Sequence, residues 1–252
     1  MKYKLKSLSL VSRKTSWKSI AILAMVSIVL VVSFLLWIAY ETKQRLDIGY
    51  GTTTNANFAR LEIGDKVFSI PKNYIWSRGD WKGGRVTGVN LHALLPDFEP
   101  LTEVNRHEFE KPGWRRKIRM VLGEHAMPAN ERPTGHVSMT RREIYERTTR
   151  NQTARDLNGP FGLRLQKFPN KLSSDDDLFV GTKPDGSFYW VGCSSEGKVP
   201  SPSCSTYIEY STHVYVHYTY PKAQLSEWMR IEDGVLHLVQ KFEDNRNQGE
   251  YK

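Results

Sequence analysis

Acidic residues are missing from the first nineteen positions of this chain, which hold six of its 36 lysines and arginines. Charge of either sign is then missing from the next 21 residues, 20–40. A helix of that length rises about 32 Å, which matches a hydrocarbon core of about 30 Å. The pattern predicts a basic cytoplasmic tail over residues 1–19 and a transmembrane signal anchor over residues 20–40.

The flanks of this apolar segment predict its orientation. Basic residues prefer the cytoplasmic side, and the sequence ETKQRLD after Tyr40 is charge-balanced, so the N-terminus is expected inside and the rest of the chain outside. A cleaved signal peptide is the alternative, but it needs a shorter apolar core and a small-x-small cleavage site. The run ends in LLWIAY, which favours an uncleaved anchor.

Excess positive charge is nearly absent once the tail is set aside. The chain has a net charge of +9, yet residues 41–252 contain 30 basic and 27 acidic residues. A domain that binds nucleic acid carries its basic excess on the folded part. We therefore expect no nucleic-acid partner, and the membrane contact is expected through residues 20–40.

Cysteine is scarce: Cys193 and Cys204 are the two in the chain. Their spacing is not C-x-x-C, which disfavours a thioredoxin-type site or a zinc knuckle. In an exported domain such a pair usually forms a disulfide, which would stabilise so short a loop by about 3 kcal/mol. The alternative is two free thiols.

The part after the anchor predicts three regions. Residues 41–57 are polar without an apolar period, as in a stalk. Residues 58–150 predict a first β-rich part, which begins with a hairpin around Gly64-Asp65. Residues 151–252 contain five strand-like runs with short connections, which predict an antiparallel meander with the cysteine loop inside it.

The last apolar pattern changes period. Its apolar residues recur at three- and four-residue steps and are Leu225, Trp228, Ile231, Val235, Leu238, Val239 and Phe242. This spacing predicts a helix of about six turns packed on the sheet, with a hairpin at Asp233-Gly234 as the alternative. The predicted fold is α+β: a transmembrane helix, a mainly antiparallel sheet and a long C-terminal amphipathic helix.

Catalytic signatures are missing as well. The chain contains neither G-x-S-x-G nor H-E-x-x-H, the patterns of serine hydrolases and zinc proteases. His213 and His217 lie four residues apart in a predicted strand, which separates them by about 13 Å, too far for one zinc ion. We expect no enzyme, no cofactor and no metal site.

Aromatic residues are what the chain has in quantity, at 12%. Tyr207, Tyr210 and Tyr215 crowd into one predicted sheet region beside His213 and His217, and tyrosine and arginine are typical anchors of protein interfaces. Core packing is the competing interpretation for the tyrosines. Arg115 and Arg119 predict a basic patch for an acidic protein partner, with an ordinary solvated face as its alternative.

Three stretches resemble proteins of one kind. FSIPKNYIW (68–76), VNLHALLPDFEP (89–100) and LSEWMRIEDGVLHLVQKF (225–242) look like segments of uncharacterised single-pass envelope proteins of Gram-negative bacteria. Some of these are thought to be immunity proteins against toxins delivered into the periplasm. The resemblance implies an inner-membrane protein whose periplasmic domain binds a secreted toxin or an envelope protein. An assembly component of an envelope or secretion complex and a periplasmic hydrolase are the alternatives.

Overall fold

The computed structural model describes residues 17–49, 51–125, 140–150, 153–168 and 176–243. Most of the predicted basic tail, residues 1–16, lies outside the described residues. The contacts within the chain divide it into two units, Met1–Asp47 and Ile48–Lys252.

Helix α1 runs over Trp17–Gly49. Its segment Ile20–Ile38 has a mean hydropathy of 2.8 and buries none of its residues within the structure. The Ser27 hydroxyl donates to the carbonyl oxygen of Leu23 at 2.9 Å, so this polar group is satisfied within the helix, as a lipid environment requires. The helix is long and apolar enough to cross a membrane, a property that a signal sequence shares.

The two ends of the predicted stalk, residues 41–57, belong to different parts of the structure. Its first part, up to Gly49, continues helix α1. Its last part belongs to the second unit: the Gly51 amide donates to the Trp76 carbonyl at 3.0 Å, and the Lys72 amide donates to the Asn57 carbonyl at 2.9 Å. Residues 51–57 are thus attached to the folded domain by backbone hydrogen bonds.

Eleven strands are described in the second unit. They are β1 Phe58–Ile63, β2 Lys66–Pro71, β3 Gly84–Arg85, β4 Gly88–Leu94, β5 Lys117–Glu124, β6 Arg155–Asn158, β7 Arg164–Lys167, β8 Asp176–Thr182, β9 Phe188–Ser194, β10 Ser203–Glu209 and β11 Val214–Pro221. The described helices of this unit are α2 Arg106–Glu110, α3 Arg141–Thr149 and α4 Trp228–Phe242, and 3₁₀ turns cover Lys72–Tyr74, Arg78–Lys82 and Lys222–Glu227.

These strands form two sheets. The small sheet has the order β2-β1-β3, and the large one has the order β4-β5-β11-β10-β9-β8-β7-β6. The predicted hairpin at Gly64-Asp65 joins β1 to β2, and the predicted meander runs from β6 to β11. Because β5 pairs with β11, the large sheet includes strands from both sides of residue 150.

The main core lies between one face of the large sheet and α4. In β11, Val214, Val216, Tyr218 and Tyr220 are fully buried, and they alternate with half-buried residues. Helix α4 buries Ile231, Val235 and Val239 among others, so the predicted C-terminal helix on the sheet is confirmed. It begins at Trp228 after a 3₁₀ turn and is shorter than the predicted six turns.

Gly234 lies inside α4, so the hairpin considered at Asp233-Gly234 is wrong. A Cβ atom at this position would come within 2.1 Å of the Phe98 ring. Glycine therefore costs helix propensity here but allows the ring to contact the helix backbone.

The disulfide between Cys193 and Cys204 is confirmed, and it joins β9 to β10. The two half-cystines are directly opposite each other in the register, beside the pair Gly192–Ser205. Both are fully buried, so the bond is a buried cross-strand disulfide.

Arg141 links the two faces of the large sheet. Beyond the disulfide, β9 and β10 separate, and the guanidinium of Arg141 donates to the carbonyl oxygens of Phe188 and Tyr207, one on each strand. It then reaches the carboxylate of Glu232 on α4, with Nη1 to Oε1 at 3.1 Å. Since α3 contacts β9 and β10 on the side opposite to α4, this ion pair passes through the sheet.

Candidate functional site

The face of the large sheet opposite to α4 is where the predicted aromatic residues meet. The register places Tyr207 opposite His217, and it places Tyr215 opposite Gly123. In the neighbouring row, Thr219 lies opposite Arg119. We call Arg119, Tyr207, Tyr215 and His217 the open face, because each is half-buried or exposed while its strand neighbours are buried.

Ring contacts order the tyrosine end of the open face. The rings of Tyr207 and His217 stack with centroids 4.4 Å apart, and Tyr215 lies 6.2 Å from Tyr207. A Cβ atom at Gly123 would fall 2.5 Å from the Tyr215 ring, so this glycine lets the ring lie flat over strand β5. Such contacts fix amphipathic side chains at a low entropy cost on binding.

Arg119 contacts two indole rings at the other end of the open face. Its Cζ atom lies 4.1 Å from the centroid of Trp76 and 5.0 Å from that of Trp114. His92, opposite Arg119 in the register, stacks on Trp76 at 6.4 Å and contacts Phe109 at 4.8 Å. The two cation–π contacts hold the guanidinium at this position.

A small cavity opens beside this arginine. It has a volume of about 70 Å³ and is lined by Thr52, Trp76, His92, Phe109, Lys117 and Arg119, a set that we call the indole pocket. Trp114, the second indole in contact with Arg119, is not among these lining residues. The Lys117 ammonium donates to the carbonyls of Phe109 at 3.3 Å and Lys111 at 2.5 Å, so its position is fixed by the backbone.

Burial controls the charge of the histidines. Burial lowers the pKa of His92 to about 4, against a hydrogen bond to the Asn73 carbonyl that raises it, and the Arg119 charge lowers it further. Burial also lowers the pKa of His217. Both rings are therefore neutral at pH 7, and the positive charge next to His92 comes from Arg119 and Lys117.

The same side of the sheet is covered by α3 at its other end. Ile144 and Tyr145 pack with Leu178, Val180 and Trp190 in a second apolar cluster. Tyr207 contacts this cluster, with its ring 6.4 Å from that of Trp190. Consequently Tyr207 lies at the boundary between a packed region and the exposed part of the open face.

Three of the predicted binding residues are not among the four residues of the open face. Tyr210 contacts the main core: its hydroxyl donates to Glu243 at 2.5 Å and its ring lies 6.1 Å from Phe68. His213 precedes β11, so the prediction that places it in the strand with His217 is wrong by one residue. Arg115 is exposed in the turn before β5 with a φ of 45°. The open face thus brings together four of the seven predicted residues.

The sequence interpretation missed the indole pocket. Trp76 and Trp114 come from segments outside the strands, and only the tertiary fold brings both into contact with Arg119. The position of His92 was predictable from the sequence, because strand alternation in VNLHAL places its side chain on the side opposite to Leu91. Among the described residues, no group of three or more His, Cys, Asp or Glu side chains is arranged to hold a metal ion.

Comparison with known proteins finds a likeness in fold and none in sequence. No family model matches the sequence, and no curated protein matches it. A solved immunity protein of the Stenotrophomonas maltophilia type IV secretion system has 18% identity and a TM-score of 0.51, covering 77% of this chain and 98% of that one. The iron-regulated outer membrane lipoprotein FrpD of Neisseria meningitidis has 12% identity and a TM-score of 0.40, with coverages of 77% and 96%. The sequence resemblance, to envelope proteins of which some are thought to be immunity proteins, is confirmed by the first of these structures at the level of fold.

Proposed function

We propose that this chain is an inner-membrane-anchored immunity protein whose periplasmic domain binds and neutralises a toxin delivered into that compartment. Helix α1 would hold the domain at the membrane. The disulfide is consistent with an oxidising compartment. The likeness in fold to a secretion-system immunity protein supports the same role.

The open face is the observation that carries this proposal. Its tyrosines are held by ring contacts rather than free to rotate, and Arg119 is oriented by two indoles. Rigid Tyr, Trp and Arg side chains at the centre of a surface are the residues that most often dominate the free energy of protein association. Blocking a toxin requires a tight complex and no chemistry on this chain.

A growth assay tests the proposal. The product of the neighbouring gene is expressed with an export signal, and the full chain is co-expressed to restore growth. The unsubstituted chain should restore growth, and the double variant Tyr207→Ala, His217→Ala should fail to do so. Absence of protection, together with absence of a complex on co-purification, would overturn the proposal.

The same assay separates an inhibitor from an assembly component. Residues 41–252 are exported to the periplasm behind a cleavable signal in place of the anchor. An inhibitor should still protect, because the recognition surface lies in the second unit. A component that depends on membrane partners should lose its function.

A hydrolase would instead consume its substrate over successive turnovers, whereas an inhibitor should protect only in stoichiometric complex.

A further inference from the structure

Strands β9 and β10 pair with each other over part of their length. Within the described strands, their register ends at the pair Gly192–Ser205, while residues 188–191 of β9 and 206–209 of β10 continue past it. Backbone carbonyls inside a sheet need donors, because a buried carbonyl left without one costs free energy. The position of β10 beyond Ser205 therefore depends on the donors that fill the space between the two strands.

The guanidinium of Arg141 supplies two of these donors. Its Nε donates to the carbonyl oxygen of Tyr207, and its Nη1 donates to that of Phe188 at 3.4 Å. The same group pairs with Glu232 on α4, with Nη2 2.5 Å from Oε2. The side chains of Arg141 and Glu232 are 12% and 5% exposed, and hydrogen bonds are stronger where water is excluded. A planar guanidinium serves acceptors in several fixed directions, which a single ammonium nitrogen cannot do.

The backbone of Arg141 is fixed as well. Arg141 is the first residue of α3, where the Thr140 hydroxyl accepts from the Glu143 amide at 3.2 Å and the Glu143 carboxylate accepts from the Thr140 amide at 2.7 Å. This capping box holds the first turn of the helix. The indole N–H of Trp190 donates to the Arg141 carbonyl at 2.9 Å. Arg141 thus contacts both Trp190 and Tyr207, whose rings lie 6.4 Å apart.

We propose that Arg141 is a positioning residue of the open face: it spaces β9 and β10 and so fixes the backbone of Tyr207, whose ring contacts the protein partner. This inference rests on the proposed function for the role of the open face in binding. The Tyr207 ring stacks on His217 at 4.4 Å, so a displacement of the β10 backbone changes that contact too. Arg141 contributes to affinity from inside the sheet, because it pre-organises a side chain that the partner meets.

A fluorine label tests the position of the Tyr207 ring without a toxin. The full chain is labelled with 3-fluorotyrosine in a neutral maltoside detergent, and the ¹⁹F signal of Tyr207 is assigned by Tyr207→Phe. Arg141→Lys keeps a positive charge beside Glu232 but replaces the guanidinium fork by one nitrogen, so the Tyr207 signal should move by more than its linewidth. The signal of Tyr210, whose hydroxyl donates to Glu243, should stay in place in the folded variant.

Arg142→Lys is the matched control. Arg142 is the exposed neighbour of Arg141 on α3, and its Cζ lies 4.6 Å from the centroid of the Phe188 ring. Its substitution changes the same helix and touches the same strand, and it should leave the Tyr207 signal within its linewidth. A Tyr207 signal that stays in place in folded Arg141→Lys, or that moves equally in Arg142→Lys, would overturn the inference.

A second variant decides the case in which Arg141→Lys does not fold. Thr140→Ala removes the exposed cap of α3, which loosens the first turn that carries Arg141. The Tyr207 signal should then move in this variant, and a signal that stays in place contradicts the inference.

Binding separates positioning from general stability. Affinity for the product of the neighbouring gene, the toxin proposed as partner, is measured in the unsubstituted chain and in Tyr207→Ala. Arg141→Lys should weaken binding about fivefold in the unsubstituted chain and less than about twofold in Tyr207→Ala, because its effect passes through that ring. Equal losses in the two backgrounds would contradict the positioning role.

The two experiments fail separately. If the Tyr207 signal moves as expected but the neighbouring gene product is neither bound nor neutralised, the proposed function fails and the positioning of Tyr207 by Arg141 stands. If the chain neutralises the toxin and Arg141→Lys binds it equally well, the function stands and the role of Arg141 in recognition is contradicted.

Discussion

The two faces of the large sheet share the same strands but differ in how their tyrosines are satisfied. On the α4 side, Tyr218 is fully buried and donates to Glu232 at 3.0 Å, and Tyr220 lies 3.2 Å from the Tyr189 hydroxyl. On the open face, Tyr207 and Tyr215 are half-buried and contact rings. Complete burial with satisfied hydroxyls favours a role in folding, whereas partial burial in fixed positions is what the proposed recognition surface requires.

Two arginines sharpen the comparison. Arg141 lies against the Tyr189 ring and is paired with Glu232 inside the protein. The guanidinium of Arg119 contacts Trp76 and Trp114 on the opposite side of the sheet. We therefore expect substitution of the first pair to reduce stability, and substitution of the second arginine to reduce binding.

The largest expected loss of stability follows the substitution Glu232→Ala. It leaves the Arg141 guanidinium buried without its carboxylate and removes acceptors from Lys183 and Tyr218, which should cost about 3–5 kcal/mol. Urea denaturation of the full chain in detergent measures this loss. The control Asp233→Ala, at an exposed neighbour that also contacts Lys183, should cost far less, and equal losses would contradict a special role for the ion pair.

The disulfide and Arg141 join β9 to β10 at different points, so removing the disulfide is the next test. Replacing both Cys193 and Cys204 by serine should lower the free energy of unfolding by about 3 kcal/mol, because the unfolded chain gains loop entropy. The same denaturation experiment measures it. An unchanged midpoint in the double variant would show that the strands do not depend on the covalent link.

The depressed pKa of His92 predicts a dependence of stability on pH. Its ordinary value is 6.5 and its value in the fold is about 4, so the unfolded state binds more protons between these values. The contribution of His92 to the free energy of unfolding is fully present above pH 6.5, decreases as the pH falls and stops changing below about pH 4. The total change is up to about 3 kcal/mol. Comparing the pH profile of His92→Gln with that of the unsubstituted chain isolates this contribution, and parallel profiles would contradict it.

The smallest stability effect should come from the open face. Tyr215→Ser removes a half-buried ring that contacts His125 and Tyr207, and we expect a loss of about 1 kcal/mol, since partly exposed ring pairs contribute about that much. Its counterpart on the buried side, Tyr218→Ser, should lose several times more because it also opens a cavity. Comparable losses at the two positions would remove the distinction between the faces.

Features with local patterns were predictable from the sequence. The uncharged run of α1, the three- and four-residue spacing of α4 and the short connections of the meander each identify an element without knowledge of the rest of the fold. The pairing of Cys193 with Cys204 followed from their short separation and an expected export.

Features that depend on long-range packing were not predictable. Trp76 and Arg119 are 43 positions apart in the sequence, and nothing local indicates that the indole stacks on the guanidinium. The ion pair between Arg141 and Glu232 spans 91 positions and depends on the separation of two strands. Tyr210 was predicted on the binding surface because it crowds with Tyr207 and Tyr215 in the sequence, but β10 ends at Glu209, so strand alternation does not determine its direction.

The affinity of the full chain for the toxin proposed as its partner, measured in detergent for two sets of variants, tests the central claim most directly. On the open face, Tyr207, His217 and Arg119 are each replaced by alanine. The most damaging of these three substitutions should weaken binding about 30-fold or more, the equivalent of a hot-spot loss of ~2 kcal/mol. Substitution to alanine of Met229, Arg230 and His237, exposed on α4, should change it less than about twofold. The reverse result, with the open face tolerant and α4 sensitive, would contradict the account.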